Sequence, residues 1–416
     1  MTQLNQTNIP LIIHYVSHWP SVSETFAKFD IELSQKFTAH ILIFTQRITA
    51  KHFFRPSSVN NIYNIKNTFN SRKCKKSTAD FKKFLRCIYF SFKLLKYIPK
   101  SRLPFIPLKL LQLPFIAYAS LRFESLIMHT QFLSFESYYM AILVKATRQL
   151  LGNQTKIIFT VHAKDANIDF KDLNLYKVYT DRFICAANKI QIKLLRVIPE
   201  SQITLKYVSS QATIAGLSAK TFIKYDRHVR NPENKYTLLS VGRLVPKKGF
   251  SRIPDIVKCM LSHNINFEWL IVGSGVQERF LAQKITDYQL SKFIRLIGSV
   301  STEKIYNLMT SCDLYVGLFQ DVDGDIDGLP TVLFEAAACR LPILTTTIAN
   351  IPDVFDQTNS FAINQKDDNS DIAGTIRRLL INPELLNIKR KSAFEKVNNL
   401  CNLKSQGKIL KNAYFE

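Results

Sequence analysis

The sequence predicts an α/β protein with two doubly wound parallel sheets, and three observations carry that expectation. Short runs rich in Val, Ile and Leu alternate with amphipathic stretches along most of the chain, the pattern of strands covered on both faces by helices. The chain has 416 residues, 46% of them hydrophobic and 21% charged, enough for two or three units of ~150 residues, each with its own core. Between two such series of strands lies the polar stretch Thr221–Lys235, which contains Pro232 and reads as a linker.

Taken in order, IPLIIHYVS, HILIFTQ, SLIMHTQF, KIIFTVH, RFICAA and ITLKYV read as buried strands of the first half. Ser23–Lys36, Glu136–Leu151 and Asn188–Val197 read as helices between them. In the second half the strands are YTLLSVG, FEWLIVG, FIRLIG, DLYVGL and LPILTT, with helices at Phe250–His263, Val276–Tyr288, Thr302–Thr310 and Pro330–Cys339. The expected domains are therefore 1–225 and 226–395, and the basic helical tail 396–416 is expected to pack back on the first. No repeat of 20–50 residues is visible, and the composition excludes collagen-like, disordered and small disulfide-stapled classes.

Charge narrows the partners. Lys plus Arg number 56 and Asp plus Glu 32, a net +24, which favours phosphates, nucleic acid or an anionic membrane surface. Half of that excess sits in Lys66–Lys109, where thirteen cations face one acid, Asp80, and Phe81, Phe84, Leu85, Ile88 and Phe92 recur at helical spacing. A basic amphipathic stretch with an aromatic face suits an anionic bilayer, at ~1 kcal/mol per near-surface cation. Lys73, Lys75, Lys76, Lys82, Lys83 and Arg86 form the candidate membrane patch, within an expected basic and apolar membrane-facing insertion at 66–121. The other reading is a solvated face over an ordinary core stripe. The apolar run Leu103–Leu121 is broken by Lys109, Gln112 and prolines at 104, 107 and 114, so it suits a segment lying on a membrane better than one crossing it. Nucleic acid is not expected, because no recognition motif accompanies the charge.

Seven scattered cysteines, never spaced as C-x-x-C, suggest neither a disulfide framework nor a zinc site and fit a reducing cytosol. The N-terminal MTQLNQTN carries no cation before the apolar run Ile9–Val16, so a secretory signal is not expected and the run suits a first strand. Asp321, Asp323 and Asp325 do not by themselves make a metal site, which needs convergent ligands on a fixed loop. Neither a metal nor a cofactor is expected.

The sharpest signals lie in the second half. Ser240-Val241-Gly242-Arg243-Leu244 ends a strand, and Lys247-Lys248-Gly249 precedes a helix. Glycine lets a ligand approach the backbone, and Arg243 and Lys248 are spaced to grip one pyrophosphate from two sides. The next strands end in Gly273-Ser274-Gly275 and in Gly298-Ser299. Ligands in open α/β sheets bind outside the carboxyl ends of strands, and glycine is only 12 of 416 residues, about half its usual share of ~7%. Three glycine-marked strand ends in so glycine-poor a chain mark Gly242, Gly273, Gly275 and Ser299 as ligand-facing. In Asp327-Gly328-Leu329-Pro330-Thr331-Val332-Leu333-Phe334-Glu335 a helix starts after a flexible glycine, and free N–H groups at such a start attract anions. Glu335 falls about one turn further in, within reach of a ribose diol, and Asp327 can meet the hydroxyls of a bound sugar.

At this point the chain resembles a known family. SVGRLVPKKGF, WLIVGSG, IRLIGSVSTEKIYNLMTSCDLYVGLF and DGDIDGLPTVLFEAAACRLPILTT look like the donor domain of retaining GT-B glycosyltransferases of family 4, the glycosyltransferase group 1 proteins. In the first half, YVSHWPSVSETF resembles the opening loop of the colanic-acid and exopolysaccharide branch, and HTQF with FTVHAKD resembles its paired strand ends.

The resemblance implies a GT-B fold whose two Rossmann-like domains face each other across a cleft. It implies that Arg243 and Lys248 bind the donor diphosphate and stabilise charge on the departing nucleotide, as preorganised cations do. Glu335 would hold the ribose, while Asp327, Gly328, Leu329, Thr331 and Val332 hold the transferred sugar and its phosphates. His162 would sit against the reacting face, with Ser23, Glu24, Thr25 and His129 on the acceptor side. The expected activity is retaining transfer of a sugar from a UDP-, GDP- or ADP-sugar to a lipid-linked or growing glycan. The implied setting is bacterial capsule, lipopolysaccharide or exopolysaccharide synthesis, in the cytoplasm at the inner face of the cytoplasmic membrane.

The chain departs from the family pattern at Asp327, where the family has Glu, at Arg340, where it commonly has Gly, and at Ala349-Asn350, where it has Gly-Gly. Two other readings share the donor contacts: a catalytically silent GT-B scaffold binding anionic lipid or polymer, and another nucleotide-sugar enzyme such as an epimerase.

Overall fold

The computed structural model describes residues 235–416 throughout, and before them 10–19, 30–31, 33–34, 37, 41–48, 61–64, 89, 125–131, 135–150, 152–162 and 176–207. Ser23, Glu24, Thr25, the six cations of the membrane patch, the run 103–121 and the linker up to 234 lie outside the described residues. The chain divides into two compact units, Met1–Tyr207 with Gln406–Glu416, and Val208–Ser405.

The first unit is a seven-stranded sheet of β1 (Leu11–Trp19), β2 (Ile41–Ile48), β3 (Asn61–Asn64), β4 (Ser125–Thr130), β5 (Gln154–Val161), β6 (Arg182–Cys185) and β7 (Ile203–Leu205). Their spatial order is β3-β2-β1-β4-β5-β6-β7, every pairing parallel. The order turns back between β1 and β4, where His14 and His129 lie side by side in register.

The second unit repeats the plan with β8 (Tyr236–Val241), β9 (Phe267–Val272), β10 (Ile294–Gly298), β11 (Leu314–Gly317), β12 (Ile343–Thr346) and β13 (Phe361–Ile363), in the order β10-β9-β8-β11-β12-β13. Both sheets are doubly wound and parallel, as the alternating pattern predicts. The short strands β3 and β13, of four and three residues, are not among the expected ones, and each closes an edge of its sheet.

The core of the second unit is built on the strands' inward residues. Trp269 is fully buried with Leu238, Val316, Leu344 and the helix residues Ile256, Val257 and Ile376. Its indole N–H donates to the Ser240 hydroxyl at 3.0 Å, and that hydroxyl donates to the Val316 carbonyl at 2.6 Å, so a buried polar chain pins β9, β8 and β11 together. Helix starts follow local chemistry. Ser301 caps Thr302–Ser311 by accepting from Lys304 N–H, and Asn382 caps Pro383–Cys401 by accepting from Leu385 N–H. The helix expected at Pro330–Cys339 spans Thr331–Ala338, because Pro330 takes the extended cap position at ψ 121°.

Candidate functional site

The densest concentration of chemistry lies at the carboxyl edge of the second sheet, between β8 and β11. The strand order reverses there, so the two following loops diverge and leave a crevice. After β8 the chain passes Gly242-Arg243-Leu244 and makes a tight turn at Pro246–Lys248, closed by Gly249. Gly249 is left-handed at φ 70°, and a Cβ on it would lie 1.9 Å from the Leu318 carbonyl oxygen. Only glycine lets the loop after β8 come this close to the loop after β11. Gln320 N–H then donates to the Lys247 carbonyl at 2.9 Å, and its side-chain amide donates to the Pro246 carbonyl at 2.8 Å.

The charged side chains meet across this junction. Lys248 Nζ lies 2.5 Å from Asp327 Oδ2. Lys247 Nζ lies 2.7 Å from Asp325 Oδ1 and 3.4 Å from Asp327 Oδ1. Lys248 and Asp327 are mostly covered, at 13% and 15% exposure, whereas Asp325 is 71% exposed. The Lys248 ammonium also sits 5.0 Å from the Phe319 ring centroid, within cation–π range. Beneath it a small recess is lined by Ser240, Val241, Tyr315 and Phe319.

Tyr315 reports where the acids are. It is buried, its hydroxyl donates to the Val241 carbonyl at 3.3 Å, and burial followed by the Glu335 and Asp327 carboxylates raises its pKa. The Cys339 thiol is pushed up to about 12 by burial and by Glu335. Glu335 and Asp327 thus bear on one buried tyrosine, beside the recess that Lys248 enters. Arg243 stands exposed on the same loop after β8. No side chain caps the helix Thr331–Ala338, so the first-turn N–H groups at Thr331 and Val332 point out of its start.

The remaining expected donor residues knit the loops. Gly242 N–H donates to the Val272 carbonyl, Gly273 N–H to Gly298 and Leu244 N–H to Ser274, at 3.0, 2.9 and 2.9 Å. A Cβ on Gly273 would lie 1.9 Å from the Gly242 carbonyl oxygen, so this glycine and its φ of 135° are required by loop-to-loop approach alone. Gly275 faces Leu244 in the same manner. The Ser274 and Ser299 hydroxyls are 2.7 Å apart at the surface, and the Gly328 carbonyl accepts from Asn350 N–H at 3.0 Å.

In the first unit a second polar cluster fills the switch point between β1 and β4. His14 Nε2 and the Ser34 hydroxyl are 2.9 Å apart, and Ser34 donates to the Asp30 carbonyl at 2.7 Å. His129 Nδ1 is 2.8 Å from the Tyr414 hydroxyl and its Nε2 is 2.8 Å from Thr160 Oγ1. Tyr414 comes from the helix Leu403–Phe415 at the chain's end. Lys206 Nζ and Asp30 Oδ1 form an ion pair at 2.6 Å, both 4% exposed.

These surroundings keep the histidines neutral. Burial lowers His129 to about 3, helped by the Lys206 charge, and lowers His162 to about 4, against the pull of Asp30 and a hydrogen bond to the Gln131 carbonyl. His14 is lowered by burial and by His129. His129, expected on the acceptor side, has no exposed surface, and both its ring nitrogens are engaged inside the unit. Of these three histidines, His162, just past the end of β5, is partly exposed.

Residues 222–396 match the family model for glycosyl transferases group 1. That match lies within the second unit. Over 185 residues the chain is 26% identical to the phosphatidylinositol N-acetylglucosaminyltransferase GPI3 subunit of Saccharomyces cerevisiae, a match covering 42% of this chain and 37% of that protein. It is 29% identical over 143 residues to the amylovoran biosynthesis glycosyltransferase AmsK of Erwinia amylovora, covering 34% and 35%. The matches thus span little more than a third of these relatives' lengths. Among solved structures, Anabaena Alr3699/HepE in complex with UDP aligns at TM-score 0.64 and 12% identity, covering 97% of this chain and 98% of that one. This likeness shows the fold, GT-B.

The second unit holds three residues that the sequence did not single out. Lys247 stood beside Lys248 in the quoted motif, but nothing in the string showed that it bridges two acids. Tyr315 and Phe319 read as strand and loop apolars, yet they form the recess under Lys248. Two departures from the family pattern have a visible backbone consequence: Arg340 and Ala349 take left-handed φ values of 53° and 48°. Arg340 N–H donates to the Ala337 carbonyl and Leu341 N–H to Ala336, the helix-ending motif that usually places glycine at this position.

Proposed function

We propose that the protein is a retaining glycosyltransferase that moves a sugar from a nucleotide-sugar to a lipid-linked or growing glycan of a bacterial surface polysaccharide. The observation that carries this reading is the meeting of Lys248 and Asp327, 2.5 Å apart at the β8/β11 switch point, inside the unit that matches the glycosyltransferase family. In this reading the donor diphosphate lies over the turn 246–249 and the start of the helix Thr331–Ala338, with Lys248 and Arg243 on its oxygens. Glu335 takes the ribose, and Asp327, released from Lys248 by the phosphate, takes a hydroxyl of the sugar. The bond between the anomeric carbon and the diphosphate breaks, its electron pair leaves with the phosphate, and an acceptor hydroxyl oxygen bonds to the carbon on the same face while its proton passes to the departing phosphate oxygen.

Charge builds on the departing oxygen, so a fixed cation there is worth ~3–4 kcal/mol of barrier. His162 is held neutral by burial and bonds to the Gln131 backbone, so its ring offers hydrogen bonding rather than a charge. No metal or cofactor takes part in this account.

Support comes from relatives. HepE was solved with UDP and with UDP-glucose, and AmsK is named for amylovoran biosynthesis. No helix among the described residues is long and apolar enough to cross a membrane, which is compatible with the proposed peripheral place on the inner face of the cytoplasmic membrane. The test is donor hydrolysis or transfer with UDP-, GDP- and ADP-sugars by wild type, Lys248→Ala and Glu335→Ala. The reading expects turnover with one donor class and its loss in both variants. Full activity in both would overturn it.

A further inference from the structure

In the first unit, six large hydrophobic side chains are exposed among the described residues, and four of them fall within eighteen positions: Val178 at 63%, Tyr179 at 46%, Ile192 at 51% and Leu195 at 42%. Single exposed apolar residues need no explanation, but a cluster does. The helix Asn188–Leu194 already turns Ile190 and Leu194 into the core, which satisfies an ordinary surface helix. Its other face carries Ile192 outward, with Leu195 following about one turn on, between the exposed Lys189 and Arg196. Lys177 Nζ donates to the Val197 carbonyl at 3.3 Å, which sets Val178 and Tyr179 beside the end of that helix.

Cations predominate around these apolar groups. Between Lys177 and Arg196 there are five cations and a single acid, Asp181, and Asp181 is ion-paired to Lys145 at 2.8 Å. Aliphatic side chains standing among cations match the boundary between anionic headgroups and acyl chains, where apolar insertion and charge attraction add. A second copy of the chain would bring the same cations face to face, which opposes association. A nucleic acid would set Val178, Ile192 and Leu195 against phosphates and sugars, where they gain nothing.

We propose that this surface of the first unit is a contact site for an anionic lipid bilayer. It is formed by the helix Asn188–Leu194, the turn after it and the segment 176–179. It is distinct from the basic stretch at 66–109 and does not depend on the glycosyltransferase reading. The helix returns alongside β6 after that strand's carboxyl end, so its own end lies toward the amino edge of the sheet, away from His162.

The test is co-sedimentation of the full-length protein with vesicles of phosphatidylcholine, alone or mixed with phosphatidylglycerol, at low and high salt. Wild type is expected to bind the anionic vesicles and to release them as salt screens the cations. At ~1 kcal/mol, or about fivefold, per near-surface cation, removing three cations costs about 100-fold in partitioning, so the charge-reversing triple variant K189E/K193E/R196E is expected to lose at least that. The variant I192S/L195S is expected to lose on the order of tenfold through its missing apolar insertion. K366E/R377E/K391E makes the same charge change at exposed positions of the second unit and is expected to bind like wild type. Equal losses in the two triple variants would overturn the proposal, because net charge alone would then explain binding. Wild-type partitioning by I192S/L195S would also overturn it, as would a shift in that variant's oligomeric state without a change in vesicle binding, which would assign the face to a second copy.

Discussion

Asp327→Asn offers a test with opposite signs for binding and turnover. The amide keeps the shape of the carboxylate and removes its charge. Lys248 Nζ is held 2.5 Å from Asp327 Oδ2 with both side chains about 15% exposed or less, so an incoming diphosphate must take the ammonium from a carboxylate. Two charges 4 Å apart attract by about 4 kcal/mol at an effective dielectric of ~20. Desolvation offsets most of that for a covered pair, leaving roughly 1–2 kcal/mol that the phosphate must overcome. The variant is therefore expected to bind the nucleoside diphosphate about tenfold more tightly, since 1.4 kcal/mol is a factor of ten. Turnover with the complete nucleotide-sugar should move the other way. Loss of a charge-assisted hydrogen bond to a sugar hydroxyl, worth ~1.5–3 kcal/mol, lowers it by about 10- to 100-fold. Lys247 stays paired with Asp325 at 2.7 Å, so the loop keeps its anchor and the melting temperature should change little. Titration calorimetry with UDP, GDP and ADP reads the first effect, and steady-state turnover with the matching donor reads the second. Weaker or unchanged diphosphate binding in a folded variant would refute the competition for Lys248.

Three further outcomes follow from the same structure. Lys206→Met strands Asp30 in the interior and is expected to cost ~3–5 kcal/mol, while the double variant with Asp30→Leu should recover most of it; additive losses in urea unfolding would contradict a coupled pair. The folded-state pKa values of His129 and His162, about 3 and about 4, lie below the unfolded value near 6.5. The unfolded chain therefore takes up protons first as pH falls, and stability should drop from about pH 6.5 downward by about 2 kcal/mol per histidine at pH 5. Urea midpoints that stay constant between pH 7 and pH 5 would argue against buried neutral rings. Arg340 is left-handed at φ 53°, which costs ~1–2 kcal/mol, but its guanidinium stacks 4.4 Å from the Phe394 ring centroid, worth ~0.5–1 kcal/mol. Arg340→Gly is expected to leave stability within about 1 kcal/mol, with Arg340→Ala less stable than both because it keeps the strain and loses the stack; an alanine variant that melts above wild type would contradict this.

What the sequence disclosed depended on how local each feature was. The strands from Tyr236 to Thr346 were legible because each is a contiguous apolar run ending in a loop with its own signal. Lys248, Asp327 and Glu335 could be singled out because they sit at strand and helix ends, where a doubly wound sheet binds ligands. The ion pairs between Lys247, Asp325 and Asp327 were not. They join loops 78 residues or more apart in the chain, and only the reversal of strand order at β8 and β11 brings them together. The contact of Tyr414 with His129 spans 285 positions, so a histidine that looked ligand-facing at a strand end is walled in by a helix from the far terminus. Burial of that kind leaves no periodic trace around His129 itself.

The account rests on a diphosphate site at the β8/β11 switch point, and direct titration of nucleoside diphosphates into the wild-type protein and Lys248→Ala tests it most simply. One of UDP, GDP or ADP should bind the wild type, and that binding should fall at least tenfold when the lysine is removed. If none of the three binds, or if Lys248→Ala binds as tightly as wild type, the crevice does not hold a donor nucleotide.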